Sequence, residues 1–255
     1  MSFIEKYLKE PFRYATSDWI KILIGSLLSF FSALVTLLST SLLAPSAIIF
    51  MLIIFFMLIS LVIDIILLGY YIGVAKNTLK GVDTLPNWSN FIEFIKDGIL
   101  YYIAMIIVLL MIYLPAILLT VGIFSAVGGG FGNHLAFNNS ISMYLLVVIG
   151  IVLYIIVASI AFILYFPLAT VNFAKKGFSG FFEFFNILKK ISLEYILILI
   201  LYFILNVITY FILTIILIIP IVGILIYITC GMILTFLLGV AAIRAISKYY
   251  LEKEI

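Results

Sequence analysis

The sequence predicts an all-α integral membrane protein with six transmembrane helices, and three observations predict it. Of 255 residues, 67% are hydrophobic and 10% charged. A soluble globular domain is about 45–50% apolar and about 25% charged. Six apolar stretches, at residues 20–43, 47–75, 99–124, 141–168, 195–219 and 221–246, each exceed the roughly 20 residues that cross about 30 Å of hydrocarbon. These runs do not alternate apolar with polar residues, so helices fit them and barrel strands do not. Finally, the 14 Lys and Arg fall in four groups. Lys6, Lys9, Arg13 and Lys21 come first, then Lys76, Lys80 and Lys96, then Lys175, Lys176, Lys189 and Lys190, and last Arg244, Lys248 and Lys253. With six spans, all four groups lie on one side. Short loops rich in Lys and Arg stay cytoplasmic, so both termini are expected at the cytoplasmic face of the plasma membrane. A five-span or seven-span count breaks this segregation.

The elements follow in order. The first 17 residues are polar and amphipathic, and predict a surface helix over residues 3–14. Lys6, Lys9, Glu10 and Arg13 oppose Phe3, Ile4, Tyr7 and Leu8. The apolar run that follows is too long for the core of a cleaved signal peptide. Between the second and third spans, a surface helix is predicted over 87–97. Trp88, Phe91, Ile92 and Ile95 form its apolar stripe at i, i+3, i+4 and i+7, and Asn90 with Glu93 resembles a capping arrangement. Between the fourth and fifth spans, a third surface helix is predicted over 176–191. Lys176, Ser179, Glu183, Asn186 and Lys190 are spaced 3, 4, 3, 4, which is one helix face. Phe178, Phe181, Phe182, Phe185 and Leu188 fill the other. Aromatic helices with a cationic face lie in the headgroup plane. Trp88, Phe91, Ile92, Ile95, Phe178, Phe181, Phe182 and Phe185 therefore form the candidate lipid- or partner-binding face.

Two stretches, "FIEFI" at 91–95 and "FFEFF" at 181–185, share one plan of four large apolar residues around a glutamate. Each surface segment is followed by a span out and a span back. An acid recurs near each outgoing start, Asp18, Asp97 and Glu194, where the helix dipole favours an anion. The chain thus reads as one membrane domain, 1–255, of three parallel repeats.

The segment Gly69–Gly98, "GYYIGVAKNTLKGVDTLPNWSNFIEFIKDG", followed by "YLP" at Tyr113–Pro115, resembles a family of archaeal and bacterial membrane proteins known only as a domain of unknown function. The resemblance rests on Gly69 and Tyr70, Lys76, Leu85, Pro86 and Trp88, and Asp97 and Gly98. "NFAKKGFSGFFEFF", Asn172 to Phe185, is similar to that family's second loop. Lys76 stands where arginine is expected. More distantly, the layout is similar to membrane domains that accompany glycerophosphodiester phosphodiesterases. The resemblance implies no reaction.

Asp64 is the one charged side chain deep in an apolar span. It precedes Lys76 by 12 residues, about 18 Å along a helix, which places it near mid-membrane. Intramembrane acids are functional candidates by default. The competing reading is a neutral acid bonded to a neighbouring helix, through Asn206 or a Ser/Thr hydroxyl. Asn206 itself reads as glue between helices.

"GFSG" at Gly177–Gly180 matches the serine motif of rhomboid-type proteases, but the only histidine, His134, falls in the opposite loop. Nucleophilic catalysis needs a base within hydrogen-bond reach. "GGGFGN" at Gly128–Asn133 follows no strand and has no lysine, so it is not a phosphate loop. Clustered metal ligands are absent. No enzymatic activity and no cofactor are expected. Topology and anionic headgroups account for the basic loops, so nucleic acid is not an expected partner. Two functions remain. One is a membrane-organising, lipid-binding or partner-binding protein, an assembly factor or a subunit, alone or as a homo-oligomer. The other is a permease or channel for a small solute or ion that uses Asp64.

Overall fold

The computed structural model describes residues 2–41, 47–129 and 137–254. The predicted turn around Pro45, most of the glycine-rich stretch at 128–133, and His134 lie outside the described residues.

Among the described residues every regular element is helical. One π-helical turn, Glu5–Lys9, runs into α1 (Glu10–Ala15). Then come α2 (Trp19–Ser41), α3 (Ala47–Leu79), α4 (Phe91–Gly129) and α5 (Phe137–Lys176). A one-turn α6 (Phe184–Leu188) precedes α7 (Leu193–Ile216) and α8 (Val222–Glu252). Six helices, α2 to α5, α7 and α8, are long and apolar enough to cross a membrane. Large apolar side chains stand exposed along all six. That arrangement is stable in lipid, where the apolar surface stays and only polar groups must find partners. Hydroxyls within the helices meet this demand locally. Ser26, Ser29, Thr78, Thr120 and Thr214 each donate to the carbonyl four residues back.

The predicted N-terminal helix forms over residues 3–15, but the other two predicted surface helices differ from what forms. The 87–97 segment is not a separate helix. A single 3-10 turn at Trp88–Asn90 leads straight into α4. Its cap is Asn87, whose side chain accepts from the Ser89 N–H, and not Asn90. Asp97 therefore lies well inside α4 rather than at its start. The 176–191 segment is broken into a 3-10 stretch, Phe178–Phe182, and α6. Gly177 adopts φ +75°, and a Cβ at Gly180 would lie 2.7 Å from the Asn172 carbonyl oxygen. Two glycines thus turn the chain where the polar spacing alone predicts a continuous helix. Asp18 and Glu194 meet the expectation: the Asp18 carboxylate accepts from the Lys21 N–H at 3.2 Å at the start of α2, and Glu194 lies in the first turn of α7.

The chain divides into two compact units, residues 1–102 with 167–255, and residues 103–166. In the first, α8 is the hub. It packs against α1, α2, α3 and α7, and α2 packs along α3. Buried side chains of α8 run from Phe236 to Tyr250, so the core gathers at the end that holds the charges. The N-terminal helix docks on α8 through Tyr7, Pro11, Tyr14 and Ala15. Glu10, expected to face solvent, points inward instead, because Arg244 and Lys248 demand a counter-charge there. Helices α3 and α4 cross in backbone contact at Gly69 and Gly98. In the second unit, Tyr113 and Ser159 share a 2.9 Å hydrogen bond, and the Tyr154 hydroxyl donates to the Ile112 carbonyl at 2.6 Å.

Candidate functional site

Asp64 sits on α3 beside three hydroxyls. The Ser32 hydroxyl of α2 donates to its Oδ1 at 2.5 Å. Ser32 also lies 3.0 Å from Ser60 Oγ, and Ser60 lies 2.9 Å from Thr36 Oγ1. These residues form a polar seam between α2 and α3, and Ser32 and Ser60 are buried. Asn206 takes no part: its amide donates to the Tyr202 carbonyl of its own helix at 2.8 Å. The hydroxyl partner foreseen as one option for Asp64 is the one that forms. Interhelical bonds of this kind contribute about 0.6 kcal/mol on average, and at most about 1.7. Asp64→Asn keeps an acceptor for Ser32, so its unfolding free energy in detergent should change by less than about 1 kcal/mol.

The aromatic face predicted for lipid divides in two. Phe91, Ile92, Phe178 and Phe185 are exposed, Ile92 at 84% and Phe185 at 82%. Ile95 and Phe182 are half-buried. Trp88 and Phe181 turn inward. The Trp88 indole N–H donates to the Lys21 carbonyl at 2.9 Å, and its ring stacks on Tyr70 with centroids 4.2 Å apart. Phe181 is fully buried, edge-on to Tyr101 and Phe173. Phe181 is a core residue and Trp88 a half-buried one, because the turns before α4 and α6 fold them against the chain.

The densest chemistry lies at the packed end of the first unit. Arg244, only 2% exposed, is its centre. Its guanidinium donates to Glu10 Oε1 at 2.9 Å, to Asp83, and at 3.3 Å to both Thr78 Oγ1 and the Val82 carbonyl. It also lies over the Tyr14 ring, 4.3 Å from the centroid. Tyr14 in turn donates to the Thr84 carbonyl at 3.0 Å. One side chain therefore clamps α1, α8 and the α3–α4 connection.

Two larger clefts lie elsewhere in the same compact unit. The first, of about 320 Å³, includes Lys21, Lys76, Lys80, Glu93 and Asp97 in its lining. Its charges are largely spent within the fold. Lys76 binds Asp97 at 2.5 Å and Glu93 at 3.3 Å, and Lys21 donates to the Leu85 carbonyl at 2.9 Å. The second, of about 510 Å³, lies between the α5–α7 connection and the end of α8. Its walls carry Lys176, Lys189, Lys190 and Lys253, with Glu183 and Glu254.

Both carboxylates of the second cleft are held ionised. Hydrogen bonds from Lys176, then Asn186 and Asn172, pull the Glu183 carboxyl down to about 2. At Glu254 burial pushes upward, but the hydrogen bond from Lys175, with the charges of Lys190 and Lys175, outweighs it, and the net direction is down. By spacing, Lys176, Glu183 and Lys190 share one helix face. They converge here although the helix is broken. Lys253, Glu254 and Tyr250 come from α8 and its end, and no local spacing announces them.

Six apolar helices whose packed end bears lysine-lined clefts define a multi-pass membrane protein. The chain belongs to the family described as Protein of unknown function (DUF4013), whose model matches residues 52–218. It is similar to two proteins of Methanocaldococcus jannaschii. Uncharacterized protein MJ1189 is 34% identical over 220 residues, covering 79% of this chain and 74% of that protein. Uncharacterized protein MJ0233 is 30% identical over 221 residues, covering 79% and 73%. No solved structure matches the chain.

Proposed function

We propose that the protein is a non-catalytic, membrane-organising protein that binds anionic lipid headgroups through its charged end, at the cytoplasmic face of the plasma membrane. The observation that carries this reading is the second cleft, where lysines outnumber carboxylates beside the exposed Phe178 and Phe185. Anionic headgroups attract such clusters with about 1 kcal/mol per basic residue near the surface. Exposed aromatic side chains next to them favour the interface. Asp64 supports a structural role in this reading, since the Ser32 hydroxyl, and not a second charge, donates to it. A partner protein or a second copy would use the same end.

The test is stability against lipid charge. The protein is reconstituted in nanodiscs of zwitterionic lipid, with and without a minority of anionic lipid. The unfolding midpoint should be higher in the anionic discs, and the difference should shrink as salt rises, because screening weakens exposed charges. Equal midpoints at every salt concentration would overturn the reading.

A further inference from the structure

Attraction to anionic lipid needs only a surplus of lysine. The second cleft has more than that. Its lysines stand opposite two ionised carboxylates and the Asn186 amide, within one concavity of about 510 Å³. That volume falls within the roughly 300–1,000 Å³ of small-molecule sites. The lining itself carries four lysines and two glutamates, two positive charges in excess, with Lys176 and Lys190 paired to those glutamates and Lys253 also 3.6 Å from Glu194. A phosphate monoester carries about −1.5 to −2 at neutral pH, which matches.

The ammonium groups are placed rather than trailing. Lys190 lies over the Tyr250 ring at 4.1 Å, and Lys253 over Tyr249 at 5.5 Å. Tyr249 donates to the Lys190 carbonyl, and Tyr250 donates to Asn172 Oδ1 at 2.5 Å, so both rings are themselves fixed. Lys189 forms no ion pair among the described residues, and so is available to a ligand. Ser192, the cap of the 24-residue helix α7, also lines the cleft and brings the positive end of that helix beside it. The carboxylates accept hydrogen bonds, which a phosphate does not offer and hydroxyl groups do.

We propose that this cleft binds a phosphorylated polyol. Lys189, Lys190 and Lys253 hold the phosphate, and Glu183 and Glu254 accept from the polyol hydroxyls. The shared chemistry covers a lipid headgroup and a soluble phosphoester. The assignment deepens the headgroup reading above and, in its lipid form, rests on it.

The test uses the full chain in zwitterionic nanodiscs. Calorimetry measures binding of myo-inositol 1-phosphate, inorganic phosphate and myo-inositol. In parallel, discs containing phosphatidylinositol are examined by native mass spectrometry for retained lipid. Saturable binding of the soluble ester identifies a free ligand, and selective retention of the lipid alone identifies a headgroup. Either form should be favoured about tenfold over inorganic phosphate or inositol, and Lys189→Ala with Lys253→Ala should weaken it about tenfold. Lys189 is exposed, so Lys189→Ala alone gives a folded check. Lys80→Ala, in the other cleft, should leave binding unchanged. Glu254→Gln should narrow the preference over inorganic phosphate.

No saturable binding in either form would overturn the site. So would affinity no better than that of inorganic phosphate, or indifference to Lys189→Ala with Lys253→Ala. A protein stabilised by anionic lipid that binds neither inositol phosphate nor its lipid keeps the general reading and loses this site.

Discussion

Arg244→Met lowers the stability of the protein by about 3–5 kcal/mol, the cost of leaving a buried partner charge uncompensated. Glu10 is that partner. Its carboxylate side chain is 10% exposed, and its second oxygen, Oε2, is buried without a hydrogen-bond partner among the described residues. Lys248, 2.7 Å from Glu10 Oε1, offsets part of the loss. Asp83 adds little, because it is 80% exposed and solvent screens the pair. The unfolding midpoint in detergent should fall by on the order of 10 °C. Limited proteolysis should then cut the N-terminal helix first, since Arg244 holds it to α8. Arg244→Lys should fall between, keeping the charge but losing the fork that reaches Glu10, Thr78 and Val82 together. The double variant Arg244→Met with Glu10→Met removes both buried charges and should be more stable than Arg244→Met alone. A double variant less stable than the single one would refute the clamp.

Gly69→Ala and Gly98→Ala each cost about 1–3 kcal/mol, although alanine is the better helix former. A Cβ at Gly69 would sit 1.9 Å from the Phe94 carbonyl oxygen, and one at Gly98 would sit 2.0 Å from the Ile65 carbonyl oxygen. Neither neighbour is a side chain that can swing aside, so α3 and α4 must separate. Small residues at such crossings let membrane helices pack by close backbone approach. Both glycines serve one crossing, so the double variant should cost less than the sum of the two. Gly122→Ala is the control, since nothing lies within 4 Å of its added Cβ, and it should not destabilise. Equal losses at 98 and 122 would show that the crossing is not what the glycines support.

Hydropathy made the six helices legible, because a span must be long and apolar whatever its neighbours are. The acid at Asp64 was legible for the same reason, as was a hydroxyl as one candidate partner. The surface segments were harder to read. Helical spacing at 176–190 reflects convergence of Lys176, Glu183 and Lys190 on a cleft, which a turn achieves as well as a helix does. Gly177 and Gly180 were the signal for the turn, and their weight depends on the Asn172 carbonyl that Gly180 approaches. Phe181 and Trp88 carry the same composition signal as Phe185 and Ile92, yet they face the core. Only the fold decides which aromatic residue turns inward. Arg244 pairs with Glu10 across 234 positions, a separation at which local pattern carries no information.

The hub position of α8 sets an order of events during synthesis. A ribosome makes α1, α2, α3 and α7 before α8, and each of them packs against it. Until α8 leaves the ribosome, Glu10 lacks Arg244 and Lys248, and Tyr7 and Tyr14 lack the surface that covers them. Before that, α2 can pack along α3, but the contacts of α1 and α7 with α8 are missing. The core of the first unit is therefore completed only when α8 inserts.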